Sequence, residues 1–356
     1  MKYISYGFLL LWSVLRGWAF LPLAIWQAFK DGGLWRWLGL TFSGMRYQQK
    51  KGLQVYTKGM PGDKIHFLNT GGSDAILLES GGRFALIDAA EDSDYPAGRR
   101  ALAYPGWEAY VLDYVKRAAG DAQGRVTLDF VLGTHAHSDH IGGFDTLITD
   151  PDIAIGRAYL KRYEGARMRP YERAYWDNEE VYGQMLRALA ARGVPLVRDI
   201  PGEPFALGNF QITLFDPGRN RSGDENDSSV GSLVEHSGGR AFLAGDINNI
   251  SGVEHRLAGR LGKVDLLKAG HHGHNGSGTL AFAAKLRPDT VVFTNKGRAS
   301  VGVLGRFICA GNTKRLLSTG MFGGLMAVFG EDDIQHYAIN EYAVPIPPKA
   351  YEEICP

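Results

Sequence analysis

The stretch Thr134–His140, which reads THAHSDH, constrains this chain more than any other part of it. It follows the apolar run Leu128–Gly133, which predicts a buried β-strand. Three histidines and a carboxylate then fall within six residues, and imidazole nitrogens and carboxylate oxygens are ligands that Zn²⁺ binds. In an extended loop His135 and His137 project to the same side, so both can bind one ion. The pattern predicts a metal site at a strand end rather than a loop that is merely rich in histidine.

The composition is that of a globular protein with a sizeable core. The chain has 356 residues, of which 45% are hydrophobic and 22% charged, enough for one large domain or two small ones. Its net charge of +1 gives no global field that would attract a polyanion, which counts against nucleic acid as a substrate but leaves a local basic groove open. The two cysteines, Cys309 and Cys355, are far apart and predict neither a disulfide framework nor a sulfur ligand.

Further metal-ligand types follow other predicted strands. Asp88 and Asp246 each end an apolar run, and a second histidine cluster, His271–His274, follows the run Val264–Ala269. Loops at one edge of a layered α/β fold can bring such residues into one cleft. The predicted strands are Lys64–Asn69, Ser73–Glu79, Arg83–Asp88, Gly208–Phe215, Ser229–Glu235, Arg240–Asp246 and Thr290–Thr294, and the predicted helices are Trp107–Ala119, Asn178–Arg192 and Thr279–Leu286.

These residues predict a site for two ions. The first ion would be bound by His135 and His137, and Asp246 would bridge the two ions. The second ion would take the remaining ligands: Asp139, His140 and one of His271 or His272. Paired ions about 3.5–4 Å apart clamp the entering and leaving oxygens of a displacement, and a bound water can lose a proton near pH 7. The predicted reaction is therefore hydrolysis of an ester, amide, lactone or phosphodiester by a metal-bound hydroxide.

The N-terminal segment differs from the rest of the chain. Ile4–Phe29 is almost wholly apolar, interrupted by Arg16 and Pro22, and five of the seven tryptophans lie before residue 40. Residues 4–42 therefore predict association with a membrane or the cell envelope, on a side that the charges leave open. The alternative is a helical pair packed on a soluble domain. The predicted organisation is this segment (1–45), a linker (46–63), a hydrolase domain (64–340) and a Pro-rich tail (341–356).

Aromatic residues and arginines alternate between residues 156 and 178. Aromatic rings bind a quaternary ammonium group through cation–π attraction, and arginines can contact phosphate. A partly packed helical insertion explains most of these residues better than substrate contact does. The residues that we single out for substrate contact are Trp176, Tyr175 and Tyr163.

The motifs together resemble those of the metallo-β-lactamase superfamily. They are Asp88, HAHSDH, Gly245-Asp246 and His271-His272. The resemblance implies a four-layer αββα fold, with Asp88 supporting the metal loop. Within the superfamily, the chain is similar over roughly residues 64–340 to teichoic acid phosphorylcholine esterases, the hydrolase domains of choline-binding surface proteins. The stretches that carry this similarity are KIHFLN, GGSDAILLES, FALIDAAED, LDFVLGTHAHSDHIGG, ERAYWDN, AGDINN and GKVDLLKAGHH.

That similarity implies two Zn²⁺ ions, with Mn²⁺ as an alternative, and release of phosphorylcholine from a lipid or glycopolymer. It also implies that His272 rather than His271 is the ligand, and that the first ion keeps an open position. Asn226 would lie beside the site. The family has a third consecutive histidine where this chain has Gly273-His274, which puts the headgroup preference in question. Catalytic roles are thus predicted for Asp88, Asp139 and Asp246, and substrate contacts for Trp176, Tyr175, Tyr163 and Asn226.

Three other functions fit the same motifs. The first is a nuclease like the metallo-β-lactamase domain of DNA-uptake competence proteins, the second a lactone or ester hydrolase, and the third a metal-binding scaffold without turnover. A basic groove leading to the ions would favour DNA, and an aromatic cage would favour choline.

Overall fold

The computed structural model describes residues 53–92, 106–297, 299–310 and 312–341. The predicted membrane segment (1–45), the first part of the linker (46–63) and all but the first residue of the tail (341–356) lie outside these ranges, as does the side chain of Tyr175. No helix in the described ranges combines the length and the apolar composition that a bilayer span requires.

Nine strands of the described chain form the first sheet, in the order β16-β15-β1-β2-β3-β4-β6-β7, with β5 also paired to β4. Pairing is antiparallel from β16 to β3 and parallel from β3 onward. The strands are β1 (Asp63–Phe67), β2 (Ala75–Ser80), β3 (Arg83–Ala89), β4 (Val126–Gly133), β5 (Ile153–Ile155), β6 (Ala158–Leu160), β7 (Leu196–Val197), β15 (Leu325–Phe329) and β16 (Ile334–Ala338).

Seven further strands form the second sheet, in the order β14-β13-β12-β11-β10-β9-β8 within the described residues. It is antiparallel from β8 to β11 and parallel from β11 to β14. These strands are β8 (Phe205–Leu207), β9 (Phe210–Phe215), β10 (Gly231–His236), β11 (Gly239–Leu243), β12 (Leu266–Lys268), β13 (Thr290–Phe293) and β14 (Arg315–Ser318).

Helices connect the strands and cover the sheets. They are α1 (Glu108–Ala119), α2 (Ser138–Ile141), α3 (Phe144–Thr149), α4 (Pro170–Tyr175), α5 (Asn178–Arg192), α6 (Val253–Leu261), α7 (Leu280–Leu286), α8 (Val301–Cys309) and α9 (Thr319–Phe322). Short 3-10 turns occur at Gly165–Arg167, Glu225–Ser228 and Gly270–Gly273.

Three cores separate the layers. Successive strand residues point to opposite faces of a sheet, so in β3 Ile87 faces the core between the two sheets while Leu86 faces the core beneath the helices. Val111 of α1 and Met185 of α5 cover the first sheet, and Phe282 of α7 belongs to the core that covers the second. The predicted αββα layering is confirmed.

Several element bounds agree closely with the predictions. The helix predicted over Asn178–Arg192 has those bounds, and it ends at Gly193 because that glycine takes the left-handed conformation with φ 64°. The second part of the predicted linker is attached to the first sheet: Tyr56 N–H donates to the Ala338 carbonyl at 2.8 Å. Asp246 lies three residues beyond the end of β11, not at the end of the strand as predicted.

The strand ends that matter for function lie at one edge of the two sheets. β3 ends beside Asp88, β4 leads into the His135–His140 loop, and β11 and β12 lead into the loops of Asp246 and His272. Both sheets therefore contribute to one centre.

Candidate metal centre

Two carboxylates and two imidazoles converge at this edge. Nε2 of His140 lies 3.2 Å from Asp246 Oδ1, and Nε2 of His272 lies 3.4 Å from Asp246 Oδ2 and 3.3 Å from Asp139 Oδ2. His140, Asp246 and His272 are almost entirely buried, while the Asp139 side chain is 30% exposed. This arrangement brings together the four side chains that were predicted for the second ion and the bridge.

The hydrogen bonds made by Nδ1 of His140 and of His272 set the direction in which Nε2 of each ring points. Nδ1 of His140 lies 2.7 Å from Asp88 Oδ2, and Nδ1 of His272 lies 3.1 Å from the Thr294 carbonyl. Each Nδ1–H therefore donates away from the centre and leaves Nε2 with a lone pair toward it. Both Nε2 atoms and Asp246 Oδ1 are buried without a hydrogen-bond partner, a state that a bound divalent ion would relieve.

A second pair of nitrogens lies beside this group. Nε2 of His135 lies 2.9 Å from Nδ1 of His137, within hydrogen-bond distance, so the two nitrogens point to the same place. The other nitrogen of His137, Nε2, lies 2.9 Å from Glu172 Oε1 on α4. Nδ1 of His135 lies 3.1 Å from the Thr134 hydroxyl. The predicted first ion would thus take two neutral imidazoles whose outer nitrogens already have partners.

Asp88 supports the loop without lining the cleft. It is fully buried, and its carboxylate accepts the Thr134 N–H at 2.8 Å and the Thr134 hydroxyl at 2.8 Å in addition to His140. Its φ of 57° is left-handed, a conformation that aspartate tolerates better than most residues. This geometry fits a role in orienting His140 as a ligand.

Asp74 belongs to the centre although the sequence patterns did not single it out. It is fully buried, and its Oδ1 lies 3.3 Å from Nδ1 of His272 while its Oδ2 lies 3.8 Å from Nδ1 of His140 and contacts the buried Lys268 ammonium. Asp74, His140, Asp246 and His272 are close enough to hold one ion. Because Asp74 faces the Nδ1 side of both rings, we favour Asp139, which faces the Nε2 side, as the ligand.

The turn that carries the late histidines is held in an unusual conformation. His271 and His272 have φ of 48° and 50°, in the left-handed region. The Asn295 side chain donates to the His272 carbonyl at 2.9 Å, and the His274 N–H donates to the His271 carbonyl at 2.6 Å. Nε2 of His271 is 3.9 Å from Asp246, farther than that of His272, and its side chain is 30% exposed. The structure therefore places His272, more than His271, toward the predicted second ion.

The charges of the centre favour a cation. Burial favours the neutral acid, but the imidazoles of His272 and His140 outweigh it and hold the pKa of Asp246 well below its usual range. Burial likewise opposes protonation of His140, but Asp246 and Asp88 raise the pKa of His140 well above its usual range. Clustered carboxylates thus draw positive charge onto these rings, and a metal ion would compete with protons for the same nitrogens.

A cleft of about 610 Å³ opens over the centre. Its lining includes Trp176, whose ring centroid lies 6.0 Å from that of His137, and Asn226. The Tyr163 ring packs against that of Tyr182, with 5.9 Å between the ring centroids, and Tyr163 is not among the described residues that line the cleft. Three acidic residues that the sequence patterns missed, Glu91, Glu172 and Asp224, do line it.

A buried glutamate braces the wall next to His137. Glu225 accepts the Ala136 N–H at 3.1 Å and the Ser228 hydroxyl at 3.0 Å, and burial raises the pKa of Glu225 to about 7. Its own N–H donates to Glu172 at 2.9 Å. Hydrogen bonds therefore join α4, the His135–His140 loop and the turn at Glu225–Ser228.

Comparison with known proteins identifies the family. The model of the Metallo-beta-lactamase superfamily matches residues 68–294, which contain every residue of the candidate metal centre. The chain belongs to the metallo-β-lactamase superfamily. Members of this superfamily are generally hydrolytic metalloenzymes that bind two metal ions, and the cluster of Asp and His residues described above is a candidate metal site of that kind.

Two curated relatives are similar to this metallo-β-lactamase-fold chain. ComE operon protein 3 of Bacillus subtilis is 26% identical over 176 residues, which cover 49% of this chain and 20% of the relative. Recombination protein 2 of Haemophilus influenzae is 25% identical over 232 residues, which cover 65% of this chain and 24% of the relative. The chain thus matches less than a quarter of the length of either relative.

Among solved structures, the metallo-β-lactamase fold protein YhfI from Bacillus subtilis superposes with a TM-score of 0.45 at 12% identity, covering 72% of this chain and 96% of that one.

Proposed function

We propose that this chain is a metal-dependent phosphodiesterase that releases phosphorylcholine from a lipid or glycopolymer. The observation that carries the proposal is the composition of the cleft walls, where, among the residues that the structure describes, aromatic rings and carboxylates outnumber cationic side chains. The aromatic residues are Trp107, Tyr171 and Trp176, the acidic residues outside the predicted ligand set are Glu91, Glu172 and Asp224, and the cationic residues are Arg169 and Lys296.

Such walls suit a quaternary ammonium group. A trimethylammonium has no N–H to donate, so it is recognised by aromatic faces and by a negative field. Tyr171 is 61% exposed and Trp176 is half-buried, which leaves ring surface for a ligand. The phosphate of the same substrate would then lie at the base of the cleft, near Asp246 and His272.

The residues of the chain would divide the chemistry between them. Divalent ions, when bound, would activate a water molecule and neutralise charge on the phosphate oxygens. The ions would be held by the six predicted ligands, His135, His137, Asp139, His140, Asp246 and His272. Asp88 fixes the ring of His140, and Thr294 fixes that of His272, so that neither ligand needs to reorganise during the reaction.

The second candidate function is that of a nuclease. The relative that favours it is Recombination protein 2, which is named for recombination. The acidic cleft walls argue against a nuclease, because Glu91, Glu172 and Asp224 would repel the negatively charged phosphates of a DNA backbone. Of the two cationic residues, Arg169 already donates to the Ser222 carbonyl at 2.9 Å. A lactone or ester hydrolase of the same fold is the remaining alternative.

We also propose that residues 4–42 attach the enzyme to a membrane or the cell envelope, which would bring the cleft close to a lipid-linked substrate. The test is a comparison of the full chain with a chain that starts at residue 46, both mixed with phospholipid vesicles. Equal recovery of the two proteins in the vesicle pellet would contradict this attachment.

The reaction is tested by assaying the purified protein on a chromogenic phosphorylcholine ester beside single-stranded and double-stranded DNA. We expect cleavage of the ester, loss of that activity in His137→Ala, and retention of it in His255→Ala, which alters an exposed histidine of α6. Cleavage of DNA but not of the ester, again abolished by His137→Ala, would establish the nuclease instead.

A further inference from the structure

Lys268, at the end of β12, is fully buried within the candidate metal centre. An ammonium group in such a place must be paired, because its loss of hydration is costly. Its Nζ contacts Asp74 Oδ2, donates to the Gly245 carbonyl at 2.8 Å and lies 3.6 Å from Asp246 Oδ1. The contact with Asp74 is an ion pair, whereas the bond to Gly245 is an aligned hydrogen bond.

The Gly245 carbonyl is the atom through which Lys268 acts on the centre. It belongs to the peptide group that precedes Asp246, and it also lies 3.3 Å from the His271 N–H. Gly245 has φ 50°, and a Cβ there would meet the Thr134 side chain at 3.1 Å, so this turn lies directly against the metal loop. Fixing that carbonyl fixes the direction in which the Asp246 side chain leaves the backbone.

Asp74 joins the same network from the first sheet. Its N–H donates to the Asp139 carbonyl at 3.0 Å, and its own carbonyl accepts the Ala90 N–H at 2.8 Å. The pair of Asp74 and Lys268 therefore connects a loop before β2 to the end of β12, across the seam between the two sheets.

We propose that Lys268 is a positioning residue of the metal centre. Its hydrogen bond to the Gly245 carbonyl holds Asp246 in the orientation of a bridging ligand, and Asp74 is the counter-ion that lets the ammonium stay buried. The inference rests on the proposed metal site. A purely structural ion pair between Lys268 and Asp74 would affect folding but not the affinity for a metal ion.

Two charge-neutral double variants separate these roles. Asp74→Asn with Lys268→Met removes both charges and the donor, whereas Asp74→Asn with Lys268→Gln removes both charges but keeps an N–H that can reach Gly245. Both doubles are compared with the wild type in two measurements: the melting temperature of the chelated protein, and Zn²⁺ affinity by calorimetry. Lys263→Met, at a lysine paired on the surface with Asp265, is the control.

We expect both double variants to fold, because a buried ion pair can be replaced without loss of stability when both charges go together. The methionine double is expected to bind Zn²⁺ about 10- to 100-fold more weakly than the wild type, and the glutamine double to recover part of that loss. The single variant Lys268→Met removes the ammonium partner of Asp74 and leaves its buried negative charge less compensated, so it is expected to lower the melting temperature as well.

Equal Zn²⁺ affinity of the two doubles, or wild-type affinity in the methionine double, would overturn the positioning role while leaving the metal site intact. A wild-type protein that binds neither Zn²⁺ nor Mn²⁺ would instead overturn the metal site itself, and the inference with it.

Discussion

Nε2 of His137 lies 2.9 Å from Oε1 of Glu172. The same oxygen accepts the Glu225 N–H at 2.9 Å, so one carboxylate on α4 joins the metal loop to the turn at Glu225–Ser228. Burial opposes protonation of His137, but Glu172 outweighs it and raises the pKa of His137. The contact leaves Nδ1 of His137 facing His135, which is the direction that a shared ion requires.

Replacement of Glu172 by glutamine tests this contact. The amide keeps the size of the side chain but loses the charge that orients the imidazole. We expect affinity for the first ion to fall about 10- to 100-fold, as measured by calorimetric titration of the chelated protein. Glu180→Gln, at an exposed position of α5, is the control. Unchanged stoichiometry and affinity in the Glu172 variant would contradict the role of this carboxylate.

Replacement of Asp88 by asparagine tests the support of His140. Asparagine tolerates the left-handed backbone at this position, so the change acts on the hydrogen bonds rather than on the conformation. We expect one ion fewer per chain by metal analysis, since His140 loses its charged partner. Asp113→Asn, on the exposed side of α1, should leave the metal content as in the wild type, and an equal loss there would rule out a specific effect.

Removal of divalent ions is expected to destabilise the protein. Ligands from both sheets would share the ions, and an ion at 100 times its Kd adds about 2.7 kcal/mol to the free energy of unfolding. For a domain of this size that corresponds to a fall of about 5 °C in Tm after chelation, reversed by Zn²⁺. Asp246→Asn should show little of this shift. A wild-type Tm that chelation does not change would contradict a structural contribution of the ions.

Replacement of Trp176 by alanine tests the aromatic wall of the cleft. Loss of one cation–π contact worth about 0.5–2 kcal/mol should raise KM for the phosphorylcholine ester about 2- to 30-fold. The same variant should hydrolyse a bis(nitrophenyl) phosphate, which has no ammonium group, with nearly wild-type kinetics. Equal losses on both substrates would assign Trp176 to the structure of the wall instead of to choline.

One half-buried histidine far from the centre predicts a pH dependence of stability. Both ring nitrogens of His336 in β16 are buried without a described partner, and burial, with Arg315, lowers the pKa of His336 to about 3. The unfolded chain binds this proton below about pH 6.5. Stability is therefore complete above that pH and falls toward pH 3, by at most about 1.4 kcal/mol per pH unit.

Thermal melts between pH 7 and pH 4.5 check this dependence. His336→Phe should lose stability less steeply on acidification than the wild type, and His255→Phe, at an exposed histidine, should follow the wild-type curve. Parallel curves for His336→Phe and the wild type would show that the proton binds elsewhere.

Local patterns predicted most of the fold. Short apolar runs located β3 and β4, and helical spacing with a glycine stop located α5, because both signals depend on residues close together in the chain. The short strands β5 to β8 were not predicted, since three apolar residues give no recognisable period. The chemistry of the HAHSDH loop was readable for a similar reason, because His135, His137 and Asp139 are neighbours in sequence.

The supporting residues were harder to predict. Asp74 precedes a strand, Glu172 lies in an insertion full of other charges, and Lys268 sits in an apolar run where a lysine has no local signal. Each is defined by a partner that is distant along the chain, such as His137 for Glu172. The prediction for Tyr163 rested on composition alone, which does not distinguish a ring that lines a cleft from one packed in a core.

The division of the ligands between the two sheets has a consequence for biosynthesis. His135 to His140 leave the ribosome more than a hundred residues before Asp246 and His272. A nascent chain therefore presents half of the centre, and an ion captured at that stage has few ligands and exchanges readily. Tight binding arises only when β11 and β12 have been synthesised and have packed into the second sheet. The finished protein, and not the growing chain, therefore selects the metal that it binds in the cell.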